Sequence, residues 1–511
     1  MVGDGLESFP RLGSHPTLRS EEFGTMAMSR DAATAFRRFG LGAKPGDLKR
    51  ISGDPRGYVR GALTGSAATL STSQGLEPSH VVFAAAQAAQ QEKQLGKALA
   101  KDAAQKAAAP AMAETDPMVA AAAPPKGSAA GAPAAAAPIA RPNQIRRDAL
   151  LEEQAARVAH AIATDTPFAE RWVMFWSNHF CVSHQKGPVR GIAGAYEREA
   201  IRPHAFGRFA DMLRAVEQHP AMLIYLDNQI SLGPNSQAGR NRGRGLNENL
   251  AREILELHTL GVDGGYTQED VTNLARIITG WSVGNLNQPQ TEAGKFFFAQ
   301  NRHEPGAWTV AGKRYEDEGR RTGQKVLDDL AWHPATARHV ARKLAQHFVS
   351  DRAPASLIAT LEQTFRKSDG DLLALAKALI NAPEAWSVEP KKIVPPYDFV
   401  VALARGFDLK TKPGELVRLA GVLGQPLWQV PAPKGWPDTD DAWMGPSAIR
   451  ERLRIAEKSA REVAPGVDPR VLAEELLGPT MSNDTRQAVA RAETREQGLE
   501  LIAMAPEFLR R

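Results

Sequence analysis

Cysteine is almost missing from this chain. The one residue present, Cys181, excludes an intrachain disulfide and leaves the redox compartment unmarked. No apolar run approaches the roughly 18 uncharged residues a membrane-spanning helix requires, so no transmembrane segment is expected. Met1 to Thr25 carries Asp4, Glu7, Glu21 and Glu22 and lacks an apolar signal core, so no secretory signal peptide is read there. The expectation is a disordered tail over 1–28, or else an over-extended gene start with Met26 or Met28 as the real beginning, and a cytoplasmic protein. His-Glu-x-x-His, paired cysteines, a Walker loop, G-x-S-x-G and G-x-G-x-x-G before a helix are all absent. No nucleotide or flavin is therefore expected, while a divalent metal stays open. A large excess of one charge is lacking too: 63 Lys and Arg against 58 Asp and Glu leave +5, and no nucleic-acid partner is read from that.

What is present is an ordinary globular composition, 43% hydrophobic and 24% charged over 511 residues, enough to bury a substantial core. Residues 29–109 read as an N-terminal helical region. Within it Val81 to Ala109 is rich in Ala, Gln and Lys and free of proline. Prolines at 110, 117, 124, 125, 133 and 138 forbid one helix through the Ala-rich stretch that follows, so 110–142 reads as a flexible linker. Helical periodicity resumes at Gln144 and defines a central core over 143–348 and a C-terminal helical region over 349–511. Strand patterns are scarce; Lys295–Phe298 and Trp308–Val310 suggest one small hairpin within 295–312. The predicted fold class is mostly α. A Pro- and Gly-rich segment near 425–446 carries Trp428, Trp436 and Trp443, either as a stacking platform or as a loop pinned by buried indoles. At least one of the three is expected to stay partly exposed.

The stretch from Asn247 to Gly261 is richest in chemistry. On a regular helix Glu248, Arg252, Glu256, Asn249 and Glu253 share an arc of about 140°, while His258 falls among the leucines. Such a face could hold a metal or an acid/base pair, or be a solvated surface with i,i+4 ion pairs. Thr267 and Asp270 form a capping box for a helix over 271–281. Two carboxylates needed for a calcium loop are missing here, and Glu269 and Asp270 at that helix's entry argue against DNA binding. Upstream, Asn178 and His179 sit among four aromatics, either as a reactive pair or as a buried polar clamp. The basic loop Gly239–Gly245 could catch an anion or simply be solvated.

Ordered motifs run through the chain: Phe175-Trp176-x-Asn178-His179-Phe180, Ile201-Arg202-Pro203-His204-Ala205, His219-Pro220-Ala221, Asn247-Glu248-Asn249-x-Ala251-Arg252-Glu253, Thr279-Gly280-Trp281, His333-Pro334-Ala335 and Gly435-Trp436-Pro437. Together they resemble the bacterial domain-of-unknown-function family numbered 1800, over nearly the whole chain from about residue 30. Ser177 departs from the bulkier residue common there, which removes support for a two-histidine site around Asn178. The resemblance implies a helical protein without an established activity. It also implies a possible partner similar to sulfatases and alkaline phosphatases, encoded by a neighbouring gene, and export to the periplasm with that partner as the alternative to the cytoplasm. The reading that follows is a hydrolase acting on a polar or anionic substrate, cell-envelope glycans included. Glu248, Glu253, Glu256, His179 and Asp227 are its candidate catalytic groups, and Arg252, Arg276, Asn178, His303 and Trp436 its candidate substrate contacts. The alternative is a non-catalytic helical partner or escort of the sulfatase- or phosphatase-like protein.

Overall fold

Helix dominates the computed structural model, which describes residues 29–70, 75–108, 141–240, 245–288, 290–387 and 389–511. The tail expected over 1–28 and nearly all of the 110–142 linker lie outside those residues, as do 241–244 of the basic loop. The helices that matter here are α1 (Arg30–Arg37), α2 (Ser79–Ala108), α3 (Pro142–Ala163), α4 (Pro167–His179), α5 (Phe209–Glu217), α6 (Pro220–Tyr225), α7 (Asn249–Glu253) and α8 (Gln268–Ile277). They continue with α9 (Arg320–Ala331), α10 (Pro334–Phe348), α11 (Ala355–Lys367), α12 (Leu372–Asn381), α13 (Pro396–Gly406), α14 (Pro413–Val422), α15 (Pro446–Glu462), α16 (Pro469–Leu477) and α17 (Arg495–Met504). The fold class is mostly α, as the periodicity predicts.

Local chemistry explains where these helices begin. Proline opens α3, α4, α6 and α10, where its missing N–H leaves no bond unmade. Both His-Pro-Ala motifs prove to be caps. His219 Nδ1 accepts from the Ala221 N–H at 3.1 Å, and His333 Nδ1 from the Ala335 N–H at 3.2 Å. An imidazole thus does what Ser, Thr, Asp or Asn usually does at a helix start. The Thr267–Asp270 capping box is formed, but α8 ends at Ile277 rather than 281, because Gly280 at φ 83° turns the chain into a strand.

The strands depart from the expected single hairpin. β1 (Trp281–Val283) pairs antiparallel with β2 (Phe296–Phe298), and β3 (Trp308–Val310) with β4 (Lys313–Tyr315). Both predicted segments are strands, yet each takes a different partner. The reason is the two-residue turn Ala311-Gly312, whose φ angles of 49° and 77° suit a tight hairpin and commit β3 to β4.

One apolar cluster runs from Ala32 to Ala505. Its aromatic centre joins Phe39, Phe168, Trp172, Phe175, Trp176 and Phe348, drawn from α4, α10 and the turn after α1. Burying side chains of this kind contributes about 1.5–3 kcal/mol each. Around it α10 packs on α11, α2 on α3, α3 on α14, and α15 on α17.

Candidate functional site

Two short stretches of π-helix interrupt the central region, at Glu197–Ile201 and at Ile254–His258. Each widens the turn by one residue, a departure that often accompanies a functional site. The first places Glu197, fully buried, at the centre of an ion network. Glu197 accepts from Arg157 Nε at 3.1 Å, Arg202 Nη2 at 2.7 Å, Ser177 Oγ at 2.7 Å and Trp428 Nε1 at 3.2 Å. Arg202 also grips Glu170 in a bidentate pair, both bonds at 2.8 Å. Glu170 is buried, yet its carboxyl is held down at about 2, chiefly by the Arg202 guanidinium.

The second π segment corrects the wheel drawn over 247–261, which holds only to Glu253. His258 is buried, with Nδ1 2.8 Å from Glu217 Oε1, although the approach is too oblique for an aligned hydrogen bond. The carboxylates upstream have separate neighbours. Glu248 accepts from Thr272 at 2.7 Å, Gln268 at 2.9 Å and Arg252 at 3.2 Å, so it ties α7 to α8; these bonds, Thr272 first, lower its pKa. Arg252 also donates to Gln268 at 3.0 Å, and Glu256 accepts from the Tyr266 hydroxyl at 3.0 Å. Glu253 is half-buried and its pKa is raised, by burial first and then by Glu256 and Glu217 against the pull of His258.

The remaining predicted residues scatter. Asp227, at φ 60°, pairs with Lys186 at 2.5 Å. Arg276 donates to Asn273 at 2.8 Å and lies 4.4 Å above the Trp308 ring. His303 is buried between the Thr279 carbonyl and Asp317, each at 3.0 Å. His179 lies beside His258 and His339, with ring centroids 6.3 and 6.0 Å away, and its Nε2 meets the His258 carbonyl at 3.1 Å. Burial, then the nearby Lys343 and His339, push its pKa well below the ordinary value, so it is neutral.

Asn178 and Trp436, far apart in sequence, do converge. The Asn178 amide donates to the Trp436 carbonyl at 2.9 Å and accepts from the Trp436 N–H at 2.8 Å. Gly435 lets the loop come this close: at φ 79°, a Cβ there would stand 2.6 Å from the Asn178 carbonyl. Trp428 and Trp443 are buried, while Trp436 is partly exposed.

Beneath this loop lies a cavity of about 80 Å³, walled largely by apolar side chains and lined by Arg157, Ser177, Asn178, Cys181, His347, Tyr397, Asp398, Trp436 and Asp438. Of the predicted groups only Asn178 and Trp436 line it. Arg157 is flanked by the Tyr397 and Trp428 rings, 5.1 and 5.6 Å from its guanidinium carbon. His347 Nδ1 is 2.7 Å from Asp438 Oδ1, whereas His347 Nε2 and the Tyr397 hydroxyl are buried with no partner among the described residues. Burial lowers the His347 pKa against the opposing pull of Asp438. Asp438, although partly buried, is kept low by His347, Lys343 and Lys392. Burial pushes the Cys181 thiol up to about 12, which removes it as a nucleophile at neutral pH. Among the described residues no group of three or more His, Cys, Asp or Glu side chains is placed to hold a metal ion.

A family model described as "Protein of unknown function (DUF1800)" matches residues 34–510. The chain belongs to that family. No curated protein matches it, and no solved structure does. In this DUF1800 chain the motifs that carry the resemblance do distinct physical work: His219 and His333 cap helices, Arg202 holds two buried glutamates, and Gly435-Trp436 roofs the cavity on Asn178. No helix among the described residues is long and apolar enough to cross a membrane.

Sequence reasoning missed Arg157, His347, Tyr397 and Asp438. One signal was available: His339, Lys343 and His347 stand four residues apart on a helix that the periodicity predicts, and so share a face. Arg157, Tyr397 and Asp438 have no comparable local pattern.

Proposed function

We propose that this DUF1800 protein is a hydrolase-type enzyme whose reacting centre is the cavity beneath the Trp436 loop. The observation that carries the reading is the His347–Asp438 pair. With the Asp438 carboxylate accepting from Nδ1, the imidazole is fixed in the tautomer whose Nε2 keeps its lone pair, and that atom is buried without a partner. A neutral, oriented imidazole beside a cavity is equipped to take a proton from water or a hydroxyl. The Tyr397 hydroxyl, also unpartnered, can donate to a developing oxyanion. Arg157 supplies positive charge for a polar or anionic substrate group, and the apolar walls exclude water around it. Glu253 acts electrostatically on Cys181, which lines the cavity, and its raised pKa suits a proton donor. Glu253 lies outside the cavity lining and remains the member of the carboxylate face to test as the acid.

A panel of ester, phosphate, sulfate and glycoside substrates, cell-envelope glycan fragments among them, tests this reading. His347→Gln and Asp438→Asn should each lower turnover by ~10²–10⁴ while leaving the fold intact. Folded variants that turn over like the wild type would sink it. The second reading, a non-catalytic partner of a sulfatase- or phosphatase-like protein, is favoured by Glu248 and Asn178, which bond to the chain's own groups as structural clamps do. An inactive wild type that co-purifies with the protein of the neighbouring gene would decide for it.

A further inference from the structure

A second, smaller cavity lies where α1, α4, α13, α16 and residues 508–511 meet. It measures about 30 Å³ and is lined by Arg37, Arg171, Asp398, Arg510 and Arg511 beside apolar neighbours such as Leu476 and Phe508. Asp398 borders both this cavity and the larger one.

Its side-chain charges do not balance. Arg171 and Arg511 are each 1% exposed, and both lean on one carboxylate oxygen, Asp398 Oδ2: Arg171 Nη1 at 3.1 Å and Arg511 Nη1 in direct contact. Arg171 Nη1 also donates to the Gly40 carbonyl at 2.8 Å, and Arg511 Nη2 to the His347 carbonyl at 3.3 Å. Yet Arg171 Nε and Nη2, Arg511 Nε and Arg37 Nη2 are all buried with no acceptor among the described residues. Arg452, also buried and attracted by Asp398, adds another guanidinium with Nε and Nη1 unmet among the described residues. Among the described residues the other side-chain acids in reach are Glu507, which attracts Arg37 while bonded to Ser482 and Thr485, and Asp438, which is committed to His347. Burial dominates the lowered pKa of Arg171 and of Arg37, the latter at about 10, as expected where counter-charge is short.

Buried guanidinium groups are retained when paired and bonded, and unmet ones cost heavily. Water could accept these N–H bonds but would leave the charge excess in place. An anion answers both demands. The space fixes its size: a single water needs at least ~10–15 Å³ on this scale, so 30 Å³ holds one monatomic ion and is too small for a tetrahedral oxyanion. We propose that this cavity is a binding site for one small monovalent anion of chloride size, held by Arg37, Arg171 and Arg511 and sharing Asp398 with the neighbouring cavity.

The test uses the full chain and simple salts. At constant ionic strength, sodium chloride or bromide in place of sodium gluconate should raise the melting temperature with a saturable dependence on halide. Crystals soaked in bromide should give an anomalous peak between Arg171 and Arg511. Arg37→Gln, at the half-buried edge, should keep the fold and weaken the half-saturating chloride concentration by about tenfold or more, the effect of losing one charge-assisted bond. Identical melting curves in chloride and gluconate with no bromide peak would overturn the proposal. So would a response to sulfate or phosphate without one to halide, or an Arg37→Gln variant with unchanged chloride dependence.

Discussion

The face of α7 and the cavity beneath the Trp436 loop are both rich in polar side chains, but they spend them differently. On α7, Glu248 and Arg252 bond to each other and to Gln268 on the next helix, and Glu256 to Tyr266, all within 24 residues of sequence and all partly open to water. In the cavity the partners come from α3, α4, α10, α13 and the Trp436 loop, and some of their polar atoms are left unmet. A motif dense in charge is therefore a poor guide to where unsatisfied chemistry sits. Local partners quench one another; groups brought together from distant segments need not.

The contrast can be broken most severely at the buried network behind the cavity. Arg202→Met strands Glu170 without its main counter-charge, leaves Glu197 to Arg157 alone, and should destabilise by ~3–5 kcal/mol, read by urea denaturation. The same pair has an acid signature. Glu170 has a folded pKa of about 2 against an ordinary 4.5, so its stabilisation is present above 4.5 and is lost as pH falls from there toward 2.

Asn178→Ala comes next. It removes two bonds to the Trp436 backbone and should cost ~1–3 kcal/mol, with Trp436 becoming more accessible to acrylamide quenching. Unchanged quenching would mean that Gly435 and its neighbours hold the loop without the amide.

A pH effect of the opposite residue class follows. Burial lowers His339 to about 4 from an ordinary 6.5. Between those values the unfolded chain binds the proton and the folded one does not, so this group's share of stability is present above 6.5 and declines as pH falls to about 4. His339→Gln should flatten that part of a melting-temperature profile.

Smallest is the change expected on the open face. Glu248→Gln keeps an acceptor for Thr272 and should shift stability by less than ~0.5 kcal/mol. A larger loss would show that α7 is more than a local network and would close the gap between the two regions.

Much of the fold was legible because its signals are local. Apolar periodicity from Gln144 onward marked a mostly helical chain, and Thr267 announced the start of α8. Strand pairing was not, since it depends on which segment the Ala311-Gly312 turn presents to β3. Nor was the π segment, because 100° per residue assumes the regular helix that Ile254–His258 abandons. At the site, Asn178 and Trp436 were found through their aromatic company, although their bond to each other was not foreseen. Asp438 had no chance of being found: its meaning comes from His347, 91 residues upstream, and only folding makes them neighbours.

The wide turn at Ile254–His258 also has a consequence in terms of length. A π-turn is one residue more than an α-helix needs, so phase beyond it depends on counting residues rather than on their type. Deleting one residue there would remove the surplus and restore an ordinary turn, leaving His258 on the same side of the helix beside Glu217 and Leu260 in the core. Straightening the turn without a deletion would instead rotate His258 by about 100°. A relative one residue shorter at this point should accordingly keep the histidine, its helix running as a regular α-helix to the end.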